Sequence, residues 1–253
     1  PIANKELAPG YAPSVLPGWG NVTPFTLLSG SQFWLPGPPA LSSEAYARDF
    51  NEIKRLGGKV SEARTPEQTE IARFWFEGPT AWYRIARVVA QERGLDAWDS
   101  ARALALMSFS MADAFIAGFK IRYVYDLWRP VTAIREGDTD GNDATVGDPT
   151  WHSHQNTPPV SEYPSTQSTF SGAAAAVLAG LLGTDQVGFK VTSGAPFADI
   201  TRSFTGFSQA ARDSADSRVY AGIHFRSACE DGLALGRRIG ERAVAMYLQP
   251  VKK

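Results

Sequence analysis

The chain has 253 residues, 43% apolar and 20% charged, with a formal net charge of −1. That length suits one large domain or two small ones with a buried core, and the composition is that of an ordinary globular protein. A charge so close to zero gives nucleic acid or an acidic membrane surface no electrostatic hold, and the single cysteine, Cys229, excludes an intramolecular disulfide or a multi-cysteine zinc site.

Residues 1–40 are rich in Pro and Gly and carry aromatics at Tyr11, Trp19, Phe25, Phe33 and Trp34. They read as an irregular arm that wraps the body and is pinned by its rings. From Ser42 the pattern turns helical. SSEAYARDFNEIKRLGG opens on a serine cap and closes on Gly57-Gly58. TPEQTEIARFWFEG places Thr65 as cap, Pro66 at the first helical position and Gln68 as the capping-box partner. GPTAWYRIARVVAQERG follows the same grammar. The longest candidate helix runs from Asp96 to about Trp128, with apolar residues recurring at three- and four-residue steps, and Pro130 ends it.

Residues 136–164 read as a long loop of Asp, Gly, Asn and Pro, in which DTDGND at 138–143 is a surface turn. The stretch EYPSTQSTFSGAAAAV, 162–177, then carries hydroxyls straight into an alanine run, the mark of a capped helix start. An amphipathic segment follows around 206–222, and a last helix from about Phe225 to Tyr247. Strand alternation is nearly absent, so the expected class is all-α: one helical-bundle domain over 1–253 with an irregular arm and a long central loop. No run approaches a membrane span, since the apolar stretch from Gly172 to Gly183 is too short. The chain begins at Pro1 rather than Met, which suggests a removed leader and a secreted or periplasmic protein.

Chemistry is concentrated in three blocks. RYVYDLWRP places Arg122 and Arg129 seven apart, two helical turns, and so on one helix face where two guanidiniums can fork onto an oxyanion. Surface pairing with Asp126 or Glu136 is the plainer reading. The helix start at Ser165 can cap itself or hold an anion on free N–H groups. SRVYAGIH places Arg218 and His224 six apart around Gly222. Two guanidiniums, a hydroxyl-rich helix start, then a guanidinium and an imidazole, in this order, make a tetrahedral-oxyanion site.

These blocks resemble the signature of the vanadium-dependent haloperoxidase and type 2 phosphatidic acid phosphatase superfamily: Lys-x6-Arg-Pro, then Pro-Ser-Gly-His, then Ser-Arg-x5-His, often with Asp four residues on. The flanks WRPVTAIR, EYPS, STFSGAAAA, IHFR and EDGLALGR are similar to the bacterial haloperoxidase-like branch. The resemblance implies the helical bundle of that family and a vanadate cofactor whose site phosphate can share. Arg129 and Arg218 then match the arginines on the anion's oxygens, Ser165 a hydrogen-bond donor to it, and His224 the histidine bonded to vanadium or phosphorylated in the phosphatases.

Four positions depart from the signature. Arg122 stands for lysine, Thr166 for glycine, Gln167 for the acid–base histidine, and Ala228 for the aspartate that would orient His224. An amide does not shuttle protons near neutral pH, a service worth about 10²–10⁴-fold in rate. A peroxide-dependent oxidation of halide or an organic substrate is therefore expected to be impaired. Phosphomonoester hydrolysis through His224, or a repurposed non-oxidative or anion-binding protein, are the alternatives. His152, His154 and Asp126 are the candidates for auxiliary proton transfer, and the two loop histidines with His224 make a thin metal-site alternative. The expected partner is a small-molecule substrate or inorganic anion, and a homo-oligomer is left open.

Overall fold

A computed structural model of the chain describes residues 15–249, so Tyr11 of the expected arm lies outside the described residues. Among the described residues, eight α-helices make the body: α1 (Glu44–Leu56), α2 (Pro66–Phe74), α3 (Pro79–Glu92), α4 (Ala97–Tyr125), α5 (Pro130–Arg135), α6 (Thr166–Leu182), α7 (Phe207–Tyr220) and α8 (Arg226–Met246). The caps read from sequence form as expected. Ser43 accepts from Tyr46 N, Asp96 from Asp99 N, and Thr65 and Gln68 complete a reciprocal capping box. Each such cap contributes about 1 kcal/mol.

Two elements differ from expectation. Strands β1 (Phe189–Thr192) and β2 (Thr201–Phe204) pair antiparallel, Phe189 opposite Phe204, and lay both rings on the core. The other difference lies at the end of α4. This helix stops at Tyr125, where Asp126 takes a left-handed conformation (φ 41, ψ 47). Pro130 then forces Arg129 into extended backbone, and Arg129 becomes the N-cap of α5. Arg122 and Arg129 therefore do not share a helix face; they meet because the chain turns between them.

The core is built on α6, which packs most extensively against α8 and next against α4 and α7. The α6–α8 contact is close because α8 presents glycine every fourth residue. A Cβ on Gly232, Gly236 or Gly240 would meet Ser165 O at 2.7 Å, Thr169 O at 1.8 Å and Ala173 O at 2.4 Å. Backbone thus lies on backbone, and the start of α6 is pinned where Ser165 N donates to Ala228 O at 3.0 Å.

The Ala97–Arg135 segment holds a window of mean hydropathy 1.5, long and apolar enough to cross a membrane, contrary to the sequence reading of no such run. In the fold this segment is α4, the turn at Asp126 and α5, and 61% of that window is buried. Its Asp113, fully buried, anchors the arm: Oδ1 accepts from Phe25 N at 2.7 Å, and Oδ2 from Thr26 N and Thr26 Oγ1 (both 2.6 Å) and Leu27 N (3.0 Å). The arm's rings add to that hold. Phe25 stacks on Phe109, Trp34 leans on Tyr125, and Phe33 lies 4.5 Å beneath the Arg238 guanidinium.

Candidate functional site

Four chain segments converge at the start of α6. Arg122 comes from the last turn of α4, and its Nη2 donates to Pro164 O at 2.7 Å, one residue before the Ser165 cap. Arg129, from the N-cap of α5, donates from Nε to Val160 O (2.6 Å) and from Nη1 to Ile223 O (2.7 Å) and His224 Nε2 (2.9 Å). Arg218, near the end of α7, donates from Nε to Ser217 Oγ (2.9 Å) and from Nη2 to Trp75 O (3.4 Å). His224 lies in the turn between α7 and α8. That turn is held tightly: Gly222 has φ +78, and a Cβ there would meet Gly57 O at 2.1 Å, so only glycine fits.

All three arginines and His224 are buried, with 5% exposure or less. A guanidinium held out of water costs several kcal/mol unless charge answers it. Among the described residues, Glu162 is the buried carboxylate in this group, 3.5 Å from Arg129 Nη1. Arg122 and Arg218 form no salt bridge among the described residues. Three guanidiniums against one carboxylate leave two positive charges buried. The ionisation equilibria follow. Burial, then Arg129, lowers the Arg122 pKa; burial lowers Arg218 to about 10. Burial and then Arg129, Arg122 and Arg218 hold His224 well below the usual imidazole range, so its ring is neutral. Burial raises the Glu162 carboxyl, against the pull of Arg129 and the Phe225 N–H.

The first turn of α6 completes the group. Ser165 Oγ accepts from Ser168 N (3.3 Å) and Ser168 Oγ (2.9 Å), which leaves its own O–H as a donor. Thr166 Oγ1 is buried without a hydrogen-bond partner, as is Arg122 Nε. Gln167 Nε2 donates to Trp75 O (3.0 Å) and Ser214 Oγ (3.3 Å), so it shares the Trp75 carbonyl with Arg218. Unanswered positive charge and orphaned donors at one helix start fit a tetrahedral oxyanion such as vanadate or phosphate.

The auxiliary candidates sit elsewhere. His152 is exposed and takes a hydrogen bond from Arg135 Nη2 at 2.8 Å. His154 Nδ1 lies 3.2 Å from Arg64 Nη2, and burial with Arg64 and Arg73 lowers its pKa to about 4. Asp126 serves as the left-handed cap of α4, its N–H donating to Arg122 O. Among the described residues no group of three His, Cys, Asp or Glu is placed to hold a cation. The DTDGND stretch is a turn closed on itself, Asp140 accepting from Asn142 N and Thr145 Oγ1.

Sequence reasoning missed Glu162. Its Oε1 accepts from Phe225 N at 2.8 Å, and its Oε2 lies 2.8 Å from His224 Nδ1, close but off the line of the ring N–H. The available signal was its place in EYPS, three residues before the cap of a helix whose start is otherwise free of acids. It also missed Trp75, whose carbonyl arrives from the distant end of α2.

The family model of the VCPO second helical-bundle domain matches residues 102–253. The vanadium chloroperoxidase of Curvularia inaequalis is 30% identical over 174 residues, which are 56% of this chain and 29% of that protein. Among solved structures, one described as the first bacterial vanadium-dependent iodoperoxidase aligns with TM-score 0.82 at 34% identity, over 94% of this chain and 59% of that one. An apo-type bacterial vanadium-dependent chloroperoxidase aligns with TM-score 0.75 at 19% identity, over 92% and 56%, a likeness of fold. The chain thus spans less than two thirds of each of these relatives. The matched model covers both the Arg122–Arg129 block and the Arg218–His224 block, and the chain belongs to the vanadium haloperoxidase family with the helical bundle of that type.

Proposed function

We propose that this site binds vanadate, with phosphate as a competitor, and supports peroxide-dependent oxidation of a halide or small organic substrate. The observation that carries the reading is the pair of buried positive charges left when Glu162 is set against Arg122, Arg129 and Arg218. A dianion would neutralise them, and it would find N–H and O–H donors already aimed inward. The arginines and Ser165 would hold its oxygens, and His224 offers a neutral ring whose Nε2 is an acceptor. When bound, vanadate supplies Lewis-acid activation of hydrogen peroxide. The chain's own residues neutralise charge, exclude water and fix orientation. Proton transfer is the weak point, because Gln167 is an amide bonded to Trp75 O. Oxidation is therefore slow relative to a site with a histidine there.

Iodide and bromide oxidation is assayed with peroxide, with and without vanadate, beside release of phosphate from p-nitrophenyl phosphate. The reading expects vanadate-dependent oxidation that Arg218→Met abolishes. Phosphate release with a trapped phosphohistidine at His224, and no oxidation, would instead make the site a phosphomonoester hydrolase. Neither activity would leave a repurposed binding protein.

A further inference from the structure

The family pattern that places an aspartate four residues after the histidine finds Ala228 here, yet His224 does not lack a carboxylate. We propose that Glu162, arriving from the segment before α6, is the positioning residue of His224: it keeps the proton on Nδ1 and so leaves Nε2 bare, the lone pair that Arg129 Nη1 meets in this structure.

The Nε2 side of the ring fixes the tautomer. A guanidinium only donates, so Arg129 Nη1, 2.9 Å from His224 Nε2, makes Nε2 an acceptor. A neutral imidazole with a bare Nε2 carries its proton on Nδ1. Glu162 Oε2 lies 2.8 Å from that Nδ1 and must therefore present a lone pair. The other oxygen, Oε1, accepts from the backbone N–H of Phe225, the residue after His224. Oε1 thus holds the backbone beside the ring, while Oε2 lies against Nδ1, off the line of its N–H. Full burial of Glu162 and its 3.5 Å approach to Arg129 leave it no solvent-exposed alternative. Histidines that bind metals generally donate their second ring nitrogen to such a partner, and losing the partner costs about 10–100-fold in metal affinity.

Only a carboxylate serves both donors. In Glu162→Gln the amide has one oxygen; if Phe225 N–H keeps it, the NH₂ group faces Nδ1 and drives the proton to Nε2, against Arg129. The tautomer is read by ¹⁵N NMR of histidine-labelled, anion-free protein, whose three histidines are assigned with His152→Gln and His154→Gln variants. The wild type is expected to show Nδ1 protonated and Nε2 bare. Glu162→Gln is expected to show an Nε2–H tautomer or a released ring, with vanadate affinity down by about 10–100-fold and an unchanged far-UV circular dichroism spectrum. Glu162→Asp is expected to keep Nδ1 protonated and recover part of the affinity.

An Nε2–H tautomer in the wild type overturns the inference even if no variant folds. So does an unchanged tautomer in folded Glu162→Gln. The affinity arm rests on the anion reading above, whereas the tautomer arm does not. Failure of the wild type to bind vanadate, with the Nδ1–H tautomer present, would count against the anion reading and leave the role of Glu162 standing.

Discussion

Replacing Gly236 with alanine tests how the fold places the site. The new Cβ would stand 1.8 Å from Thr169 O and 2.8 Å from Ala173 N, both backbone atoms of α6 that no rotamer change can move. Ordinary contact begins at 3.4 Å, so α8 and α6 must part by roughly 1.5 Å at their crossing. Overpacking of this kind costs about 3 kcal/mol, which for a chain of this size lowers Tm by about 6–12 °C. The same shift loosens the Ser165 N to Ala228 O bond and displaces Ser165 from His224, so vanadate affinity should fall about 100-fold. Differential scanning calorimetry and vanadate titration measure the two effects. Gly118→Ala is the control: its Cβ would meet only Thr166 Oγ1, at 3.8 Å, and helix propensity should raise stability by about 0.5–1 kcal/mol. Equal Tm values for Gly236→Ala and the wild type would refute the backbone-on-backbone account.

Other outcomes follow from single contacts. Asp113→Asn replaces a carboxylate that accepts four bonds from the arm with a group that must turn an N–H toward N–H donors. A loss of about 2–4 kcal/mol and faster proteolysis within residues 28–40 are expected; unchanged protease resistance would contradict it. His154, with its pKa lowered to about 4, binds its proton more weakly folded than unfolded. Stability attributable to it is present above the unfolded pKa and is lost as pH falls from about 6.5 toward 4. Denaturant midpoints should decline over that window and decline less in His154→Gln. Gln167→His should raise vanadate-dependent halide oxidation by about 10²–10⁴-fold. No gain would mean that Arg122, Thr166 and Ala228 have rebuilt the pocket for other chemistry.

The helices were legible in the sequence because their signals are local: Thr65-Pro66 with Gln68 states a capped start within four residues. The β1–β2 pair was not, since four residues per strand give period-two alternation too little length to register. Which residues gather at the site could be read from the order of the motifs and the family they resemble. The manner of gathering could not. Arg122 and Arg129 were expected on one helix face, and the left-handed Asp126 broke that geometry. Glu162 was invisible for a related reason. Its contact with His224 spans 62 positions and depends on how closely glycine lets α8 approach α6, which no local pattern encodes.

In the proposed function two buried positive charges, left by Arg122, Arg129 and Arg218 against Glu162, are matched by a tetrahedral dianion. Calorimetric titration of vanadate into phosphate-free protein tests it most directly, run beside Arg218→Met and with phosphate as competitor. The account predicts one vanadate per chain, displacement by phosphate and loss of binding in the variant. No binding heat at millimolar vanadate, or equal binding by Arg218→Met, would contradict it.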